Sequence, residues 1–167
     1  MEKPAPVVSI VIPTYNQAVL LKKALQSVLD QTFQDWETIV IDNYSTDMTR
    51  EIVENFNESR IKYVQFRNQR IIAASRNKGI LLANGKYVAF LDSDDIWYPT
   101  KLSTALENLS DGADAICHGM RICHDGQPGL EFKPRQPDNN FYETLLYNGN
   151  SIIITSTVVV KKDWLIQ

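Results

Sequence analysis

What most restricts the fold of this chain is an alternation of two periods. Four short runs rich in β-branched residues, Val7 to Ile12, Glu37 to Ile41, Ile61 to Phe66 and Tyr87 to Leu91, are separated by segments whose apolar residues recur at helical spacing. After the first run come Leu20, Leu21, Ala24, Leu25, Val28 and Leu29, ending at Asp30. After the second come Met48, Ile52, Val53 and Phe56, and after the third Ile72, Ala73, Ile80 and Leu81, with Arg76 and Asn77 in step. Continuous apolar runs closed by Pro13 or by Asp42-Asn43 read as buried strands, and the intervening spacing predicts amphipathic helices. Each crossover is long enough to bring the next strand back in parallel. The pattern therefore predicts an α/β fold, an open and mostly parallel twisted sheet with helices on both faces.

Local signals place the boundaries. Thr14-Tyr15-Asn16 is expected to cap the first helix, and Ser45, Thr46 and Asp47 the second. The third run alternates apolar with polar or mixed residues, as a less buried strand should, and Asn84-Gly85 predicts a left-handed stop to the third helix. Pro99 suits the first turn of a further helix with the face Leu102, Ala105, Leu106 and Leu109. Beyond Asp111-Gly112 the regular alternation stops. Short strands are expected near Ala115 to Cys117 and Met120 to Ile122, then a turn from His124 to Gly129. A polar loop through Pro137, a short helix from Phe141 to Tyr147 and one or two strands between Ile152 and Val160 complete the pattern.

The chain has 167 residues and 44% hydrophobic content, which fits one globular domain, 1–167. A net charge of −3, with lysines and arginines spread along the chain, gives no basic field for nucleic acid. No apolar run approaches a membrane span, and the start Met1 to Pro6 lacks the apolar core of a signal peptide, so a cytoplasmic location is expected. The two cysteines, Cys117 and Cys123, each precede a histidine, His118 and His124. Their spacing matches no common zinc pattern, and neighbours in a strand point to opposite faces, so buried structural cysteines are expected instead.

In an open α/β sheet, ligands gather at the carboxyl ends of the strands. Three polar clusters should therefore share one rim: Pro13-Thr14-Tyr15-Asn16, Asp42-Asn43, and Asp92-Ser93-Asp94-Asp95. No Gly-x-Gly-x-x-Gly and no Gly-Lys-Ser/Thr loop is present to cradle a phosphate. A divalent ion shared between carboxylates and a diphosphate meets the same need, and hard cations such as Mn2+ or Mg2+ favour those oxygen ligands. The structural alternative is that Asp94 or Asp95 caps the helix entered at Pro99, and that Asp42 and Asn43 are turn residues.

Four stretches in order, Ser9 to Asn16, Val40 to Asp47, Ser75 to Ile80 with Ala83 to Tyr87, and Phe90 to Pro99, resemble the successive signatures of family 2 glycosyltransferases. The likeness is close from Val7 to about Leu109 and looser afterwards, where Ile153 to Val160 resembles a later family strand. It implies the GT-A fold, with 7–110 as the nucleotide-sugar half and 111–167 as the start of an acceptor-side half. It also implies an inverting sugar transfer from a UDP, dTDP or GDP donor to a saccharide or lipid-linked saccharide acceptor, in surface-polysaccharide synthesis that is compatible with peripheral attachment at the inner membrane face. By the resemblance, Pro13, Thr14 and Tyr15 line the base and ribose pocket. Asp42 takes the base-recognition position, where a carboxylate can accept an imide N–H. Many relatives carry a second acid where this chain has Asn43. Arg76 helps to hold the sugar or diphosphate, Asp92 and Ser93 contact the donor or a metal-bound water, and Asp94, with Asp92, binds Mn2+ or Mg2+. Asp95 orients the loop or caps a helix. The general base of the family falls beyond Gln167, so a C-terminally incomplete chain is expected, with the donor site present.

Two other readings are weighed against this one. Aspartate-nucleophile phosphatases also place Asp-x-Asp after an apolar strand, but on the first strand, whereas here it follows the fourth and precedes Asp95 and Ile96. The chain could also act only as a nucleotide-sugar-binding module.

Overall fold

The computed structural model describes residues 4–110, 112–124, 127–133 and 154–166. Four β-α units open the chain: β1 (Val8–Thr14), α1 (Ala18–Leu29), β2 (Trp36–Asp42), α2 (Thr49–Asn55), β3 (Ile61–Gln65), α3 (Ile72–Leu82), β4 (Tyr87–Phe90) and α4 (Lys101–Ser110). After them come β5 (Ala115–Cys117), β6 (Met120–His124), β7 (Gln127–Phe132) and β8 (Val158–Lys161). The expected alternation is present. The helix expected from Phe141 to Tyr147, and Ile152-Ile153 of the expected last strands, lie outside the described residues.

The main sheet runs β3-β2-β1-β4-β8-β5. β1 pairs in parallel with β2, from Val8↔Trp36 to Thr14↔Asp42, and with β4, from Val8↔Tyr87 to Val11↔Phe90. Every residue of β1, β2 and β4 is buried, because helices cover both faces. On one side Leu21, Leu25 and Val28 of α1, Val53 of α2 and Leu102, Ala105 and Leu109 of α4 pack on Ile10, Ile12, Val40 and Ala89. On the other, Ile80 and Ala83 pack on Val11, Ile39, Ile41, Val88 and Phe90. Since α3 alone returns the chain past β1 toward β4, a right-handed crossover puts it opposite α1 and α2. Its approach is tight. A β-carbon at Gly79 would lie 2.3 Å from Val11 Cγ1, so only glycine fits there.

β8 runs antiparallel between β4 and β5, through Ala89↔Val159 and Ile116↔Val159. β6 and β7 form a separate antiparallel ribbon. Between β1 and β4 the strand order reverses direction, which opens a crevice beyond their carboxyl ends.

Several boundary signals act differently from their local reading. α3 ends with Ala83 in an extended conformation, and Gly85 does not take the left-handed stop. Instead the Asn84 N–H donates to Glu37 Oε1 at 2.7 Å and the Gly85 N–H to Ser9 Oγ at 2.8 Å. A β-carbon at Gly85 would stand 2.6 Å from the Ser9 nitrogen, so close approach to β1 is what selects glycine. Asn16 does not cap α1; the Ala18 N–H donates to Asp47 Oδ2 at 3.0 Å, while Asp47 Oδ1 accepts the Thr49 N–H at 3.1 Å. One carboxylate thus serves the starts of α1 and α2. Pro99 lies before α4, whose Leu102 N–H is received by Gln31 Oε1 at 3.0 Å. Cys117 is half-buried and Cys123 exposed, against the expectation that both are core residues.

Candidate functional site

The crevice holds a cleft of about 710 Å³ lined by Pro13, Thr14, Tyr15, Gln17, Asn43, Asn68, Arg70, Ile72, Asp92, Ser93 and Asp94. Its walls are the segments that leave β1, β2, β3 and β4 at their carboxyl ends, joined by the first residue of α3. Four non-glycine residues of these segments, Asn16, Tyr44, Gln69 and Arg70, have φ of 51°, 58°, 53° and 66°. Side chains in this left-handed region cost free energy unless the surroundings hold them.

Hydrogen bonds supply that hold. The Asn16 N–H donates to Ser45 Oγ at 2.8 Å, and Asn16 Oδ1 accepts the Thr46 N–H at 2.7 Å, which stitches the first wall to the second. Asn43 Oδ1 accepts the Asn68 N–H at 3.0 Å, and Asn68 Oδ1 accepts the Arg70 N–H at 2.9 Å, so the third wall hangs on the second. Tyr15 presents an exposed ring at the mouth, with 55% of its surface free. Thr14 is buried, and its Oγ1 has no hydrogen-bond partner among the described residues.

The two residues closing β2 divide sharply. Asp42 is fully buried and does not line the cleft. Its carboxylate accepts the Ser45 N–H at 3.0 Å and the Tyr63 hydroxyl at 2.7 Å, with Ser45 Oγ as a further donor. Burial and then the bond to Asp42 hold the Tyr63 phenol far above its ordinary range, so it remains a donor. With those partners Asp42 is held within the fold, and it is not among the residues that line the cleft. Its neighbour Asn43 lines the cleft in its place.

The aspartate loop after β4 is pinned at three of its four members. Arg76 Nη2 donates to Asp92 Oδ1 at 2.6 Å, in a pair whose side chains are only 18% and 26% exposed. The Asp92 N–H donates to Ser156 Oγ at 2.9 Å. Ser93 is buried and its hydroxyl donates to Gln17 Oε1. Asp95 is tied to the Ser156 side chain; burial pushes its carboxyl upward, the Asp94 and Asp92 charges add to that, and the Ser156 bond opposes it. Asp95 caps no helix. Asp94 is exposed, lines the cleft and accepts no hydrogen bond from any described residue.

The structure thus brings together Pro13, Thr14, Tyr15, Asn43, Asp92, Ser93 and Asp94, and leaves two expected residues outside the lining. Asp42 lies behind Asn43, and Arg76 lies behind Asp92 as its counter-ion. Gln17, Asn68, Arg70 and Ile72 were not expected. The rule that ligands sit at strand ends covers Asn68 and Arg70, which follow β3, so that signal was present in the sequence.

Among the described residues no three His, Cys, Asp or Glu side chains converge as a metal cage. The donor set at the cleft is Asp94 and the Arg76-paired Asp92, which suits a hard ion that keeps most of its coordination for waters and ligand phosphates. No described helix is long and apolar enough to cross a membrane.

Residues 9–165 match the family model described as Glycosyl transferase family 2. A protein of Bacillus subtilis (strain 168), provisionally named as the teichuronic acid biosynthesis glycosyltransferase TuaG, is 35% identical over 162 residues, 95% of this chain and 63% of its own length. The Escherichia coli protein named UDP-Glc:alpha-D-GlcNAc-diphosphoundecaprenol beta-1,3-glucosyltransferase WfgD is 43% identical over 102 residues, 61% of this chain and 40% of its own. The crystal structure of S. aureus TarS 1-349 in complex with UDP is 27% identical with a TM-score of 0.73, covering 95% of this chain and 47% of that one. The chain spans less than two thirds of the length of each.

Proposed function

This chain belongs to glycosyl transferase family 2, and from that premise we propose that its cleft holds the nucleoside diphosphate of a sugar donor. In the whole protein, the sugar would pass with inversion to an acceptor hydroxyl in surface-polysaccharide synthesis. The observation that carries the reading is the placement of a partner-free carboxylate, Asp94, in the same cleft as an exposed aromatic ring, Tyr15, and an amide, Asn43. A nucleoside diphosphate asks for those three chemistries together: a face for the base, a polar group for the base edge, and an anchor for the ion on its phosphates. The UDP held by TarS in its complex, and the UDP-glucose and lipid diphosphate in the name of the Escherichia coli relative, support this assignment.

The chain's own residues divide the work. Tyr15 stacks on the base, and Asn43, an amide that both donates and accepts, pairs with its edge. That choice leaves uracil, thymine and guanine donors all admissible. Arg76 neutralises Asp92 and fixes its orientation, while Asp94 contributes the free oxygen ligands for Mn2+ or Mg2+. When bound, such an ion would stabilise the negative charge that grows on the departing diphosphate. With Asp94 committed to the ion and Asp92 to Arg76, the base for the acceptor hydroxyl is expected outside this cleft lining. The acceptor is proposed to be lipid-linked, and the protein to work at the cytoplasmic membrane face, by analogy with the diphosphoundecaprenol relative.

Thermal melts with UDP, dTDP and GDP test the reading. A nucleotide is expected to raise the melting temperature only with Mn2+ or Mg2+ present, by roughly 3 kcal/mol of linked stabilisation at a hundredfold excess over its Kd. Asp94→Asn should abolish that rise while leaving the ligand-free melt within a degree or two. A full response in the variant would remove Asp94 from the ion site.

A further inference from the structure

The aspartate loop is held in shape by a residue far along the chain. Ser156 sits in a single 3-10 turn, Thr155–Thr157, immediately before β8, and is 5% exposed. Two hydrogen bonds tie it to the start of the loop and to the segment just after it. Its Oγ accepts the Asp92 N–H at 2.9 Å and its carbonyl accepts Trp97 Nε1 at 3.0 Å. Among small side chains, alanine at this position would leave the Asp92 N–H without that acceptor. The consequence lies between those two anchors: Asp92 and Trp97 are fixed, and Asp94 is left presented to the cleft with no described residue bonded to it.

We propose that Ser156 is a positioning residue for the donor site, holding the Asp92 backbone through its hydroxyl and Trp97 through its carbonyl so that Asp94, between them, is preset toward the cation and diphosphate. This rests on the reading of the cleft given above. It also makes the segment before β8 part of the donor site, although Ser156 follows Asp92 by 64 positions and does not line the cleft itself.

Four proteins, each titrated with UDP in Mn2+ by calorimetry and melted without ligand, test it. Ser156→Ala should bind about tenfold more weakly, the scale expected when hydrogen bonds that preset a charged group are lost. Ser156→Thr, which keeps the hydroxyl, should restore most of the affinity. Thr157→Ala is the control, because Thr157 Oγ1 donates to Ile154 O within the same turn at 2.7 Å and reaches no aspartate. It should lower the melting temperature at least as much as Ser156→Ala while leaving UDP affinity unchanged. Equal affinity in Ser156→Ala and the parent, or equal losses in Ser156→Ala and Thr157→Ala, would overturn the proposal. Should Ser156→Ala not fold, Ser156→Cys carries the same comparison, since a thiol fills the space but donates and accepts weakly. Should the parent prefer dTDP or GDP, the same four titrations are run with that nucleotide; failure of the parent protein to bind any of UDP, dTDP and GDP with Mn2+ would strike the reading of the cleft instead.

Discussion

At the residue scale, adjacent side chains have opposite fates, and the cleft depends on it. Asp42 turns inward to Tyr63 and Ser45 while Asn43 turns outward; Asp92 and Asp95 are tied down while Asp94 is free. A second residue-scale feature lies at the base of α4. The Lys101 ammonium is buried over the Trp97 ring, 4.3 Å from its centroid, with no hydrogen-bond partner among the described residues. Burial pulls its pKa down to about 7. His118 is lowered too, by burial first and by the Lys101 charge in addition, against the bond to the Gly119 carbonyl. Folding therefore disfavours the charged lysine. Below pH 7 the penalty is full; from there to the unfolded value of about 10.4 the unfolded chain binds the extra proton, so stability rises with pH. Lys101→Met should melt higher than the parent at pH 7, by roughly 2–4 °C for each kcal/mol recovered, and the gap should close as pH approaches 10. A gap that stayed constant between pH 7 and 10 would show that Lys101 is not held neutral.

At the scale of elements, the starts of α1 and α4 are capped by residues distant in sequence, and only α2 by its own flank. Asp47 serves both α1 and α2, and Gln31 serves α4 while its amide donates to the Ser27 and Tyr98 carbonyls at 3.0 and 2.8 Å. Asp47→Ala should therefore cost more than an ordinary single cap, about 2 kcal/mol or above where one cap is worth about 1 kcal/mol. Chemical denaturation measures this, and a loss under about 0.5 kcal/mol would mean that the shared cap contributes little. The sequence pointed to Asp47 as a cap for the second helix and missed its service to the first. Local reading sees the residues next to a helix; it cannot see a carboxylate delivered from the following β-α unit.

For the whole molecule, β8 is the piece that joins the two stretches expected as donor and acceptor halves. Val159 is fully buried between Ala89 of β4 and Ile116 of β5, and the turn before it carries Ser156 to the aspartate loop. One continuous sheet of six strands should melt in one cooperative step. Scanning calorimetry checks it: calorimetric and van't Hoff enthalpies should agree, and two resolved transitions would mean that the halves fold separately. Strand and helix identity through α4, the parallel core and the rim at which the cleft opens were legible in the sequence, because hydrophobic period and strand-end chemistry are local properties. The antiparallel insertion of β8 was not, since a short apolar run carries no mark of direction or neighbour. Nor could the sequence by itself say which of two neighbouring acids or amides lines the cleft. It determines only that neighbours point opposite ways. The choice between Asp42 and Asn43, or among Asp92, Asp94 and Asp95, is made by Tyr63, Arg76 and Ser156, partners that only the folded sheet brings within hydrogen-bond reach.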